Sequence, residues 1–353
     1  MAQRVRALVQ GVDEFIGIDH HKQRCQVVVK DREGQVLRRG KVPTDRESLG
    51  RFLGDRNGAV RLAVFEAGPR YRPLWRWLLD LVDRRVMANP GRLKIISETV
   101  YKDDEIDADK LTDLGMLGLV PEAYVCSDEA WSRRQWLRQR AALVRMQTAL
   151  KNRIHALVDQ HPDAAPPRPE VTDVFGKMGL AWLKALQVPP EDRKRLDQLL
   201  EVYAFLHEQV ARTDGQVRRM VASDVRCQHL ATMPGIGPFF AALIVAEVDD
   251  IGRFRRPKDF VSYTGLVPGR DRSGEVDKPR RMHKRGSRWL RWALVEAAVP
   301  ATKSNLALKN LYDRVCGKKG PLAGPNVAKV AVARKLAEIA YRLLVEGRPY
   351  ERR

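Results

Sequence analysis

Short apolar runs alternate with polar breaks through the first ninety residues of the chain. Residues 14–19, 25–30 and 35–42 have the composition of strands, and the turn "DREG" joins the last two, which predicts an antiparallel meander. A helical stretch, "RESLGRFLG", then precedes the apolar strand "AVRLAVFEA", a helix around "LWRWLLDLV" and a short strand, "RVMAN". This order of elements predicts a mixed α/β sheet in an N-terminal domain, residues 1–126.

The middle of the chain, residues 127–226, has a helical period. From Ser127, a plausible N-cap, the pattern continues without Pro or Gly to Gln160. Its apolar stripe consists of Trp136, Leu143, Met146, Leu150, Ile154 and Leu157. After a proline-rich break at 161–170, a second stripe consists of Leu196, Leu199, Tyr203, Leu206, Val210, Val217 and Met220. The pair predicts a helical hairpin or coiled coil, and the residues do not decide whether its seam is intramolecular or an oligomerisation surface.

The C-terminal domain, residues 227–353, is predicted to be mainly helical, with many basic residues and interspersed glycines. In "MPGIGPFFAALIVAEV", Gly235 and Gly237 form a turn before a helix, as in helix-hairpin-helix elements. Glycines there let backbone amides approach a phosphate. A tight helix–helix turn without a ligand uses the same residues. The domain ends in an amphipathic helix, "NVAKVAVARKLAEIAYRLLVEG".

Composition favours a polyanionic partner. Sixty-four Lys and Arg stand against 44 Asp and Glu, a net charge of +20, so nucleic acid is the leading candidate and a merely basic soluble surface the alternative. The longest apolar run, "FFAALIVAEV", is too short for a bilayer, and no signal peptide is visible, so we expect a cytoplasmic protein. The four cysteines are isolated and lack CxxC spacing, so neither a zinc ribbon nor a disulfide framework is indicated.

Four carboxylates form a candidate metal site. Asp104 and Asp107, in "YKDDEIDADKL", share one helix face. Asp19 ends the first strand and Glu66 ends the fourth, which adds two oxygen donors from neighbouring strands. Such a set suits Mg²⁺, or Mn²⁺ as a second possibility. The alternative is a solvated, acidic first turn with two unrelated carboxylates. The adjacent His20 and His21 stay unassigned.

A basic block follows the glycine turn. From Lys278 to Arg291, seven of fourteen residues are Lys or Arg, with Trp289 and Trp292 interleaved, which suits phosphate contacts and base stacking. A solvated basic helix is the alternative. The candidate nucleic-acid-binding residues are Gly235, Gly237, Arg270, Arg272, Arg280, Arg281, Lys284, Arg285 and Arg288. Ser273, before Gly274, has arginines around it that could stabilise a phosphorane, but "RSG" on its own favours a turn.

Two sets of motifs resemble one known family. The strand ending "GID", the later strand ending in Glu and "KDDEIDADKL" are similar to the acidic segments of the DEDD transposases, the insertion-sequence-110 family, with Asp103 where that family usually has threonine. "PGIGP", "YTGLVPGRDRSG", "HKRGSRWLRWALVEAA" and "AKVAVARKLAEIAYRLLVEGRPY" resemble the C-terminal transposase domain of the same family, in order and spacing.

The resemblance implies a RuvC-like, RNase H-like N-terminal domain with Asp19, Glu66, Asp104 and Asp107 as its acidic quartet, and it implies that Ser273 is a nucleophile. It implies a DNA recombinase that mobilises its own element, pairing donor and target DNA through a structured noncoding RNA. It further implies a homo-oligomer, a dimer that forms a tetramer on DNA, in a bacterium or archaeon, where the protein would be nucleoid-associated when active. Family members often carry "SGG" where this chain has Glu275, so the turn beside the serine departs from the pattern.

Two other functions fit the residues. A RuvC-like, structure-selective nuclease would hydrolyse DNA with metal-activated water and use Ser273 only as a turn, leaving free ends and no protein adduct. A non-catalytic nucleic-acid-binding scaffold with a decayed acidic site would bind without any magnesium-dependent product.

Overall fold

The chain forms two compact units, residues 1–125 and 126–353. A computed structural model describes residues 8–96, 104–273, 276–282 and 286–351, with the backbone alone at 94–96, 104–105, 268–273 and 276–282. Within these residues, no helix is both long and apolar enough to cross a membrane.

The first unit is a five-stranded mixed sheet, in the order β3-β2-β1-β4-β5. Its strands are β1 (Glu14–His20), β2 (Arg24–Lys30), β3 (Val36–Pro43), β4 (Arg61–Glu66) and β5 (Arg84–Ala88). The first three strands form the predicted antiparallel meander, while β4 lies parallel to β1 and β5 parallel to β4. The mixed α/β sheet predicted from the hydrophobic pattern is confirmed.

Helices cover both faces of this sheet. They are α1 (Arg46–Leu53), α2 (Tyr71–Leu81), α3 (Pro90–Ile96) and α4 (Asp104–Met116). On one face, α1 and α2 pack on Ile16, Ile18 and Phe65. On the other, Leu111 and Leu114 of α4 pack on alternate residues of the same strands, namely Phe15, Leu62 and Val64. The near-continuous apolar strands reflect this burial on both faces.

The second unit is mostly helical. Its helices are α5 (Asp128–Val158), α6 (Lys177–Ala185), α7 (Pro190–Ala222), α8 (Val225–Ala231), α9 (Pro238–Val248), α10 (Pro257–Thr264), α11 (Arg288–Ser304) and α12 (Leu306–Glu346). Ser127 caps α5 as predicted, its side chain accepting from the Ala130 amide. Helices α5 and α7 pack together, and α6, which the sequence did not predict, completes the core at their far end.

The predicted apolar stripe of α5 is partly wrong. Trp136 and Met146 are 42% and 57% exposed, whereas Leu137 is fully buried. The helix enters two different cores: Leu137 packs against the C-terminal helices, and Ile154 packs against α6 and α7. Because the buried face differs between the two halves of the helix, no single stripe describes it.

Helix α9 forms the centre of the C-terminal core, with every residue from 241 to 248 buried. Its buried Glu247 accepts a hydrogen bond from Arg138 at 2.8 Å and one from the Ser287 hydroxyl at 3.1 Å. Ser287 is also the N-cap of α11. One carboxylate therefore connects α5, α9 and the start of α11.

The C-terminal domain is mainly helical, as predicted, and the described part of the segment between α10 and α11 adds a feature that the sequence did not predict. This segment contains a two-stranded hairpin, β6 (Pro268–Ser273) and β7 (Val276–Met282), with Ser273 paired with Val276. The predicted terminal helix is present as α12, but Gly320 has φ 75° and ψ 174°, which divides that helix at a kink.

Candidate functional site

Asp19 and Glu66 lie at the same edge of the sheet. The parallel register pairs Ile18 with Phe65; Asp19 directly follows Ile18, and Glu66 directly follows Phe65. Side chains alternate between faces along a strand, and Phe15, four residues before Asp19, and Leu62 and Val64, four and two before Glu66, lie in the α4 core. Both acids therefore belong to the sheet face that α4 covers, at the carboxyl ends of their strands.

Helix α4 touches the sheet at Gly17. A Cβ atom at this position would lie 2.1 Å from the Ala108 carbonyl oxygen and 2.3 Å from Thr112 Oγ1. No side chain can occupy that space, so the glycine is required for direct contact of helix and strand. Gly17 is two residues before Asp19, on the same face.

The direction of α4 brings its N-terminus toward the acids. Lys30 pairs with Phe15 near the start of β1. Its Nζ donates a hydrogen bond of 2.5 Å to Asp113 of α4. The N-terminal turns of α4 therefore lie toward the end of β1. Four helical residues and two strand residues each advance by about 6 Å, so Asp104, one turn before Ala108, is near the level of Asp19.

The predicted quartet is only partly described. Asp107 is on α4, half exposed at 52%, with one oxygen 3.7 Å from Lys110 Nζ. Asp104 begins the same helix, but its side chain lies outside the described residues. Among the side chains that the structure describes, no group of three His, Cys, Asp or Glu is arranged to hold a metal ion. The quartet as a set is therefore not tested.

Gln26 is a further residue of this site that sequence reasoning missed. It pairs directly with Asp19 across β1 and β2, and directly opposed residues share a face. Its side chain is only 3% exposed, and its Oε1 atom finds no hydrogen-bond partner in the described structure. A buried, unsatisfied oxygen is costly. An amide oxygen is a hard donor of the kind that divalent cations accept, as are the carboxylates of Asp19 and Glu66. Its pairing with Asp19 depends on the register between β1 and β2, which the strand pattern alone does not determine.

The two histidines are now placed. His21 Nε2 lies 2.9 Å from Asp19 Oδ2, so His21 orients this carboxylate. The pKa of His20 is lowered by burial and by the nearby positive charge of Arg70, which favours the neutral ring. The neighbouring Cys25 is buried, and burial raises the pKa of its thiol, so it is no nucleophile at neutral pH.

The glycine turn has a packing role. Gly235 has φ +75°, and a Cβ atom there would lie 2.3 Å from the Ala297 carbonyl oxygen of α11. The turn links α8 to α9, and Gly237 is the exposed N-cap of α9, which has no side-chain cap. Packing on α11 explains the first glycine, and the phosphate contact predicted for the pair stays a prediction.

The predicted nucleophile and most of the predicted basic residues fall where side chains are not described. Ser273 is the last residue of β6, and Arg270, Arg272, Arg280 and Arg281 are in the same hairpin. Lys284 and Arg285 lie outside the described residues. Arg288 is described: it begins α11, is exposed, and has its guanidinium carbon 5.8 Å from the Trp289 ring centroid.

Family models match both units. One, for DEDD transposases of the IS110 type and described as "Transposase", matches residues 16–162. A second, described as "Transposase IS116/IS110/IS902 family", matches residues 227–313. The chain belongs to the IS110 family of DEDD transposases. The four candidate acids lie in the first match and Ser273 in the second, and the DEDD type implies dependence on a divalent metal.

Individual relatives agree. This IS110-family transposase is 25% identical to the transposase for insertion sequence element IS1328 of Yersinia enterocolitica, across 94% of this chain and 97% of that protein. It is 26% identical to a probable family 20 transposase of Pseudomonas aeruginosa, across 69% and 72%. It is also 26% identical to a pilin gene-inverting protein of Moraxella bovis, across 41% and 46%. The protein is a DNA transposase or recombinase of an insertion sequence.

Proposed function

We propose that this transposase cleaves and rejoins DNA strands through a phosphoserine intermediate, guided to donor and target by a structured noncoding RNA. The observation that carries the metal-dependent part is the edge where Asp19 and Glu66 end neighbouring strands on the α4 face, with buried Gln26 beside them. The mixed sheet with acids at this edge supports an RNase H-like, RuvC-like domain.

The four acids are proposed to hold Mg²⁺. Asp19 and Glu66 would contribute from the sheet, and Asp104 and Asp107 from the first turn of α4. When bound, the ion would supply Lewis-acid chemistry and a template for the phosphate. His21 would keep the Asp19 carboxylate oriented. The Gln26 oxygen would accept from a water of the ion's shell or bind the ion itself.

Ser273 is the proposed nucleophile. Its Oγ atom would form a bond to phosphorus while the bond from phosphorus to the leaving deoxyribose oxygen breaks, and the serine proton would pass to that oxygen or to solvent. The phosphoserine ester conserves the bond energy, so the reverse attack by a new strand rejoins DNA without ATP. The arginines of the β6–β7 hairpin would stabilise charge on the phosphorane.

A recombinase is favoured over a hydrolytic nuclease by one relative. The Moraxella bovis protein is named for inverting a gene, and an inversion requires that cut strands be rejoined. A phosphoserine ester provides that step directly, whereas hydrolysis releases the bond energy to water. The resemblance supports the same choice.

The covalent step is tested in cells that carry this gene within its native flanking DNA. The protein is captured under denaturing conditions, and attached DNA is sequenced for wild type, Ser273→Ala and the control Ser262→Ala, an exposed serine on α10. We expect adducts at discrete element junctions in the wild type and the control and none in Ser273→Ala. Junction products that persist in Ser273→Ala without any adduct would instead favour metal-dependent hydrolysis.

RNA guidance needs a separate experiment. RNA that copurifies with the native protein would be sequenced, and the segment complementary to the target would be rewritten. We expect the insertion site to move to the newly matched sequence. An insertion site that does not move, or insertion that continues when the RNA gene is deleted, would contradict guidance and leave the phosphoserine proposal intact.

A further inference from the structure

A groove in the second unit is lined by aromatic rings and arginines. It has a volume of about 390 Å³, and α5, α9 and α11 form its walls. This volume falls in the roughly 300–1,000 Å³ range of small-ligand sites. The described residues that line the groove include neither the acids of the sheet edge nor Ser273. The groove is therefore a feature separate from the proposed chemistry.

Its rings form one connected cluster. The Trp292 centroid lies 5.3 Å from that of Phe240, 6.0 Å from that of Phe239 and 5.7 Å from that of Trp289, all near edge-to-face. Despite these contacts, Trp292 is 37% exposed. Indole surface held rigidly and left partly open to solvent is suited to stacking against another flat ring.

The groove carries positive charge. Arg140, Arg145 and Arg288 line it, and the described lining residues include no acid. The Arg140 guanidinium lies 4.5 Å from the Phe239 ring centroid, and Asp214 fixes it through a hydrogen bond of 2.5 Å. The exposed Arg145 and Arg288 stay available to an anion. These charges disfavour an apolar peptide as the occupant.

Two helix N-termini border the same groove. Phe239 and Phe240 are in the first turn of α9, whose N-cap, Gly237, provides no side-chain hydrogen bond. Arg288 and Trp289 begin α11. The N-terminus of a helix carries partial positive charge and outward-facing amides, so both helices favour an anionic group there.

We propose that this groove binds an unpaired nucleotide of a DNA strand, with its base stacked on the cluster around Trp292 and its phosphate at the arginines and helix N-termini. DNA is the substrate class of a transposase, and strand exchange separates bases from their partners. Bases of an intact duplex are already stacked on each other and cannot enter. The inference goes beyond the proposed function because it requires neither metal nor serine.

The test is anisotropy of labelled oligonucleotides on the full-length protein in EDTA at fixed salt. We expect Trp292→Ala to weaken binding of an oligo-dT strand about tenfold or more, because stacking on an aromatic ring contributes on this scale. Binding of a duplex should change less than twofold. Trp136→Ala, which removes a 42% exposed tryptophan outside the groove, is the matched control and should leave both unchanged.

Other outcomes are informative. The proposal would be overturned if wild type and Trp292→Ala bound oligo-dT equally, or if Trp292→Ala lost as much affinity for the duplex as for oligo-dT. A loss of binding confined to oligo-rU would overturn the assignment of the groove to DNA. A loss of binding to both oligo-dT and oligo-rU would support a groove that accepts either sugar, and therefore DNA. Should Trp292→Ala fail to fold, quenching of wild-type tryptophan fluorescence decides: oligo-dT should quench it, and a matched abasic strand should not.

Discussion

Strands β1 and β4 begin in one charged site and end in another, and the two sites differ in the kind of atom that is left without a hydrogen-bond partner. At the start, Arg61 is 2% exposed and its guanidinium donates four hydrogen bonds, one to Glu14 and three to the backbone carbonyls of Leu53, Gly54 and Asp55. Glu14 also accepts from Arg38. Arg61 and Glu14 are thus paired without any ligand, and the atom left without a partner among the described residues is a donor, the buried Nε of Arg38.

At the other end, Asp19, Glu66 and Gln26 bring oxygen atoms to one edge, and the buried Gln26 oxygen has no partner among the described residues. A buried polar group is normally satisfied, and a bound water or ion would satisfy this oxygen. The two ends differ in what the unsatisfied atom can bind: an N–H donor cannot bind a cation, whereas an amide oxygen can.

The largest effect is expected from Asp19→Asn, which keeps the shape of the side chain and removes its charge. Loss of one proposed ligand should reduce adduct formation at least about a thousandfold, equivalent to about 4 kcal/mol of activation free energy. The yield of captured DNA junctions measures it. Asp55→Asn, on an exposed loop of the same unit, is the control. Normal junction yield in Asp19→Asn would remove this residue from the site.

At the start of β1 and β4, Arg61→Ala should lower the free energy of unfolding by about 3 to 4 kcal/mol, because Glu14 and three carbonyls lose a buried partner. Urea unfolding followed by circular dichroism measures the change. Arg46→Ala removes an arginine whose ion pair with Asp80 is 62% exposed on both sides, and it should cost at most about 1 kcal/mol. Similar losses in both variants would contradict the comparison.

Asp224, in the helical unit, is another buried charge with charged partners, and its contribution to stability should depend on pH. Burial alone would raise the pKa of Asp224, but hydrogen bonds from Arg226 and Arg133 lower it to about 2, from 3.8. The lowered pKa stabilises the fold above pH 3.8, and this stabilisation, about 2 kcal/mol, is lost as pH falls through 2.

The measurement is the difference in unfolding free energy between wild type and Asp224→Asn across pH 2 to 7. Asparagine retains the N-cap acceptor of α8, so the difference should be about 2 kcal/mol at neutral pH and should shrink toward zero at pH 2. A difference independent of pH would show that the aspartate charge does not stabilise the fold.

The smallest effect on the free energy of unfolding is expected from Gln26→Leu, which should stabilise the protein where the other substitutions destabilise it. In chelator, removal of a buried unsatisfied oxygen should raise the free energy of unfolding by about 1 kcal/mol. The same change should weaken Mg²⁺ binding by about tenfold, measured as the concentration at which Mg²⁺ raises the melting temperature. Gln35→Leu, outside this site, should alter neither quantity. Destabilisation in chelator would show that Gln26 is satisfied without a ligand.

Much of the first unit could be predicted from the sequence because its strands are buried on both faces and read as apolar runs bounded by turn residues. The β6–β7 hairpin could not, since "PGRDRS" and "VDKPRRM" lack the alternation that identifies a strand. Asp19 and Glu66 could be placed from their positions at strand ends. Gln26 could not, because it matters only through its pairing with Asp19 and its unsatisfied oxygen.

Gly17 bears on which ion the proposed acidic site would prefer. Because no side chain separates β1 from α4 at this position, the acids on the helix can approach those on the sheet as closely as backbones allow. Mg²⁺ binds oxygen at about 2.0–2.1 Å and Ca²⁺ at about 2.3–2.6 Å. A methyl group at position 17 would push the helix outward and, if the four acids hold an ion as proposed, would widen their site toward the larger one. In that proposal, a residue without any ligand atom sets the size of the metal site.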